Sequence, residues 1–263
     1  MKVTNPYFKQ ASASNEEAFE NNLESTSVCT KTGIALKTLF CIVAAFVAGL
    51  IVAIFFNKLI YDSGSLSDSQ IESMLARMIS ALMICVIIAF IAALVGRIAP
   101  KTAVVCAPLY SIGEGATIGC LCAMCELYVP GITVAAGVGT GLIFLLSLGA
   151  YALGLKKKMG TVLTFISVFL LAAIISSLSV MLFQVISGQA VSTGIILAIE
   201  IIYLAYAAFC LMANFKEVEM IVESGSDKKY EWSVALGLVI SILYLFVELI
   251  RIILIIVQMN SKN

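Results

Sequence analysis

The sequence predicts an all-α integral membrane protein: a bundle of seven transmembrane helices, with the N-terminus in the cytoplasm and the C-terminus outside. Three observations carry this. Hydrophobic residues make up 61% of the 263 and charged residues only 12%, and the mean hydropathy is +1.07. Soluble domains carry roughly 25% charged residues, so the excess apolar surface calls for lipid as its solvent. The apolar residues also fall into seven runs, most of them roughly 20 residues or longer, which is the length of a helix rather than of a barrel strand. Finally, Lys and Arg collect in alternate loops.

Residues 1–30 are rich in Ser, Asn, Thr and Glu, as in Ser12-Ala13-Ser14-Asn15-Glu16-Glu17, and read as a mobile cytoplasmic tail. The first apolar run begins too late and is too long for a signal peptide. Residues 31–263 form the seven-helix membrane domain. Its spans are expected at 34–56, 74–96, 102–125, 132–155, 161–187, 193–213 and 232–259. A polar loop, 57–73, separates the first two. Arg97, Pro100 and Lys101 mark the next turn, Pro130-Gly131 the one after, and Lys156, Lys157 and Lys158 end the fourth span. Gly188-Gln189 follows the fifth, and a charged loop, 214–231, precedes the last. With the N-terminus inside, the inner side holds Lys2, Lys9, Lys31, Lys37, Arg97, Lys101, the 156–158 triplet, Lys216, Lys228 and Lys229. Outside lie only Lys58, Arg77 and Lys262.

Gly115 and Gly119, and likewise Gly137 and Gly141, are small-x-x-x-small pairs that let helix backbones approach. Pro108 is expected to bend the third helix. Seven of the eight cysteines lie in apolar runs and read as small packing residues. Cys120, Cys122 and Cys125 have no histidine to join them in a metal site. The lack of histidine also excludes a Ser-His-Asp triad and a histidine pH switch. No nucleophile–base or metal signature appears, so no enzyme is expected. With a formal net charge of zero and no basic patch, neither is a nucleic-acid partner. No cofactor is implied.

Five ionisable residues lie within the spans: Arg77, Glu114, Glu200, Glu248 and Arg251. A charge at mid-bilayer costs at least about 2.5 kcal/mol, so such residues face the bundle interior, pair, or line a water path. At a rise of 1.5 Å per residue, Glu114, Glu200 and Glu248 stand roughly 18, 20 and 24 Å from the inner ends of their helices, and the two arginines roughly 28 Å. One reading gathers the five into a buried cluster in which a spare carboxylate binds a cation, transient calcium at Glu114, Glu200 and Glu248, or exchanges a proton. The other has Glu248 and Arg251, three apart, simply satisfying each other. Ser241, Tyr244 and Glu248 share one face of the last helix.

The run Ala107-Pro108-Leu109-Tyr110-Ser111-Ile112-Gly113-Glu114-Gly115, then Glu126 ahead of Tyr128-Val129-Pro130-Gly131-Ile132, resembles the bacterial branch of the transmembrane Bax inhibitor motif family. So do Asn5-Pro6-Tyr7-Phe8, the run Asn214-Phe215-Lys216-Glu217-Val218-Glu219, and the closing Glu231-Trp232 and Val247-Glu248-Leu249-Ile250-Arg251. The resemblance implies a seven-helix fold with the last helix central, in a bacterial plasma (inner) membrane. It also implies a pH-sensitive calcium or cation leak, or a regulator of membrane-protein quality control and stress survival. Such a regulator would act through a partner such as a membrane-anchored protease. Better-understood members carry a pair of sensor aspartates, one ending the sixth helix and one in the seventh. By motif these positions fall on Asn214 and Ser241, neither of which ionises. A secondary transporter ranks last, for want of an internal repeat or broken helices in matching positions.

Overall fold

The computed structural model describes residues 28–62, 68–153 and 192–261. Among these the chain is helical: α1 (Lys31–Asp62), α2 (Asp68–Ile98), a 3-10 turn (Pro100–Thr102), α3 (Ala103–Tyr128), α4 (Ile132–Ala152), α5 (Thr193–Glu223) and α6 (Tyr230–Asn260). All six α-helices are long and apolar enough to cross a bilayer. The expected span at 161–187 and residues 1–27 of the tail lie outside the described residues.

Two loops are shorter than the sequence reading expects. The polar stretch 57–73 is not all loop, because α1 continues to Asp62 and α2 begins at Asp68. Likewise α5 continues through Asn214 to Glu223 and α6 starts at Tyr230, which shortens the charged loop to 224–229. Hydropathy marks where lipid ends, whereas a helix ends only where its backbone bonding does. α3 also runs unbroken through Pro108.

The chain divides into two compact units. One comprises Met1–Met124 with Glu217–Ile240, the other Cys125–Lys216 with Ser241–Asn263.

In the first unit α1 and α3 run parallel, with their backbones in direct contact. A Cβ on Gly115 would meet the backbone of Ala45, and one on Gly119 the backbone of Gly49. The small residues are therefore reciprocal: Ala45 and Gly49, four apart on α1, face Gly115 and Gly119, four apart on α3. In lipid, where burial of apolar surface gives little drive, this close approach supplies the packing energy. α2 runs against them, with Cys85 and Ala89 against Gly113, and Met78 and Leu82 against the cluster of Phe56, Cys120 and Ala123. One end of the unit gathers charge. Arg97 pairs with Glu217 at 3.5 Å, and Ser233 donates to the Gly96 carbonyl at 3.2 Å. Asp227 pairs with Lys229 at 2.7 Å. Burial works against the Asp227 charge, but the Lys229 side chain and N–H, with the Lys101 charge, hold its carboxyl below the usual range.

In the second unit α6 runs antiparallel to both α4 and α5. Gly139 meets Leu249, and Asn214 meets Ser241. Near the C-terminal end of α4, Phe144 and Tyr151 stack edge-on and tilted against Phe215, at 5.5 and 6.0 Å between ring centres. The same end of α5 brings Met212 onto Tyr151. Thus α4 and α5 are parallel. The expected close approach at Gly137 and Gly141 is not seen among the described residues. A Cβ on Gly137 would stand 4.0 Å from a Phe246 ring carbon, and one on Gly141 would meet nothing within 4 Å among the described residues.

The turn into α4 is pinned by Glu126, whose carboxylate accepts the N–H of Gly131 at 2.7 Å and of Thr133 at 3.0 Å. It thereby satisfies two of the orphan donors of that helix start, and Gly131 takes the positive φ of 85° that closes the turn. Glu126→Ala is expected to cost about 1–2 kcal/mol, read as a lower midpoint of thermal unfolding in detergent.

Candidate functional site

In the second unit, Glu200 of α5 and Glu248 and Arg251 of α6 come together. The Glu248 side chain is buried, and its Oε1 faces Arg251 Nη1 at 3.4 Å. That is long for a hydrogen bond, and the Arg251 side chain is itself 53% exposed. Glu200, from the facing helix, lies within direct electrostatic reach of both Glu248 and Arg251. Tyr244, one turn before Glu248 on α6, adds its phenol to the group, and Tyr203 of α5 stands beside Tyr244.

The second oxygen of each carboxyl, Glu200 Oε2 and Glu248 Oε2, is buried and has no hydrogen-bond partner among the described residues. Buried polar atoms are almost always paired. Two carboxylates beside one guanidinium also leave one negative charge uncompensated. A proton or a bound cation supplies what is missing. The i, i+3 pairing of Glu248 and Arg251 is therefore present, but it does not satisfy the group.

Toward the other end of the same helix pair, Asn214 Nδ2 donates to Ser241 Oγ at 2.6 Å. Both residues are buried. The two positions assigned by resemblance thus face each other as a neutral pair.

Glu114 and Arg77 belong to the first unit. Glu114 is half-buried on α3, one turn after Tyr110, which feels its charge. Arg77 is exposed on α2.

Sequence reasoning passed over another charged group in the first unit, centred on Glu231. This residue sits one position before the last apolar run and was read with the loop. Its buried carboxylate takes Lys37 at 2.6 Å. An acidic residue in a helix's first turn, just ahead of an apolar run, is the signal that marks it.

A sequence model of the Bax inhibitor 1 like family matches residues 5–258. The chain belongs to the Bax inhibitor 1 like family. No curated protein and no solved structure matches it. As a member of the Bax inhibitor 1 like family, it is a multi-pass membrane protein, all-helical among the described residues.

Proposed function

We propose that this protein is a cation leak, for calcium foremost, in a bacterial plasma membrane, and that Glu200 and Glu248 bind the ion in transit. The supporting observation is the carboxyl pair, whose two buried oxygens have no hydrogen-bond partner among the described residues, beside a single guanidinium. Carboxylate oxygens are the hard ligands that calcium prefers. A pair held by only one cation binds an ion without trapping it, as conduction requires. Arg251 sets the charge balance.

The topology that goes with this reading has seven spans, the N-terminus inside and the C-terminus outside. Its support is the parallel pair α4 and α5. A chain that leaves α4 at one end and enters α5 at the other has to cross back, and 161–187 is the apolar run available. The Lys and Arg distribution orients it.

The test is calcium flux into liposomes holding only the purified protein, from pH 5 to 8. Glu248→Gln or Glu200→Gln is expected to change the flux by about tenfold or more, as loss of a charged ligand of about 1.4 kcal/mol or more would. Absence of flux above empty liposomes, in protein shown to be folded, would refute the leak.

A second reading, a non-conducting regulator acting through a membrane-anchored protease, draws on the neutral Asn214–Ser241 pair. It expects a co-purifying protein and no flux.

A further inference from the structure

The chain leading into α1 is fastened to the start of α6. Val28 forms an isolated antiparallel bridge with Asp227, and the Cys29 N–H donates to the Ser226 carbonyl at 2.8 Å. Thr30 donates twice to Glu231 Oε1, from its N–H at 2.9 Å and its hydroxyl at 3.2 Å. Lys37 Nζ closes on Glu231 Oε2 at 2.6 Å and stands 5.2 Å over the ring centre of Trp232. Glu231 is 0% exposed. Gly33 makes the room, since a Cβ there would run into that carboxylate.

Both oxygens of one buried carboxylate are thus committed to groups some two hundred residues away in sequence. These bonds are strong only while water is excluded, and the chain they hold is part of what excludes it. Lifting residues 28–30 would wet Glu231 and Lys37 together.

We propose that Glu231 is the bolt of a latch through which the chain ahead of α1 controls the first turn of α6. It is closed in this structure and opens when that chain is drawn away. The proposal is independent of any ion path.

The protein carries a reporter on each side of the bolt: Cys29, 2% exposed, and Trp232, its single tryptophan. Burial, then the Glu231 charge, push the Cys29 thiol up to about 11 against the opposing Lys37 charge. Alkylation of Cys29 at pH 7.5, read peptide by peptide by mass spectrometry, is therefore expected to be at least about 100-fold slower than for an unperturbed thiol. The full-length protein in nanodiscs serves for both readouts.

Glu231→Gln and the milder Lys37→Met are each expected to speed Cys29 labelling at least about tenfold and to expose Trp232 to iodide quenching. Thr30→Pro removes both Thr30 donors without touching α6, and is expected to expose Trp232 as well. Elution and helical circular dichroism identify folded variants. Cys29 still protected in folded Glu231→Gln and Lys37→Met proteins would overturn the latch. So would Thr30→Pro that frees Cys29 but leaves Trp232 unchanged, since the segment would then dock on α6 without controlling it.

Discussion

Gly119→Leu is expected to leave little correctly folded protein. The added side chain points straight at the backbone of Gly49, and that backbone has no rotamer with which to move aside. The two helices must separate, and separation takes Ala45 away from Gly115 one turn earlier. Inserting bulk into a well-packed contact costs 1–3 kcal/mol where side chains can adjust. Here only backbone can adjust, and the expected loss is at least about 3 kcal/mol. Unfolding in mixed micelles titrated with sodium dodecyl sulfate gives the number. Ile51→Leu, on the outward face of α1 at 62% exposure, is the control and should stay within about 0.5 kcal/mol. A Gly119→Leu protein as stable as that control would mean that α1 and α3 do not meet at these glycines.

The second large effect is expected at Glu231. Glu231→Ala strands Lys37, whose side chain is 17% exposed, and the Thr30 donors against a site built for a carboxylate. Removing one member of a buried pair typically costs about 3–5 kcal/mol. Replacing both with apolar groups of similar size is much cheaper, because no buried charge is left alone. Glu231→Leu with Lys37→Met should therefore recover at least half of what Glu231→Ala loses, with Thr30 setting the remainder. Unfolding free energies of wild type, Glu231→Leu, Lys37→Met and the double variant form the cycle. A coupling energy below about 0.5 kcal/mol would show that the two residues act independently.

The centres of the six described helices were legible in the sequence because hydropathy reports on lipid, and lipid covers their middles. Their ends were not, since Asp68 to Ser73 and Asn214 to Glu223 are polar and still helical. The glycine pair on α3 could be read, but its partner could not. Ala45 and Gly49 gain meaning only once α1 is known to lie parallel to α3. Gly137 and Gly141 show the same spacing without that approach among the described residues.

The charges divide in a similar way. Glu200, Glu248 and Arg251 stood out because charge is expensive in an apolar run, and they do come together. Glu114 and Arg77 stood out for the same reason but belong to the other unit. The cost of burial says that a charge needs company and does not say whose. The burial of Glu231 was not legible because it borders water in the sequence, and a segment at the far end of the chain covers it.

The Asn214–Ser241 pair has an electrical consequence. Moving one elementary charge through the full membrane potential involves about 2.3 kcal/mol per 100 mV. A neutral amide and hydroxyl carry no such charge, and their hydrogen bond is worth the same at any resting voltage. Any voltage dependence therefore falls to ionisable groups such as Glu200, Glu248 and Arg251, and the steepness of the response counts how many of those charges move.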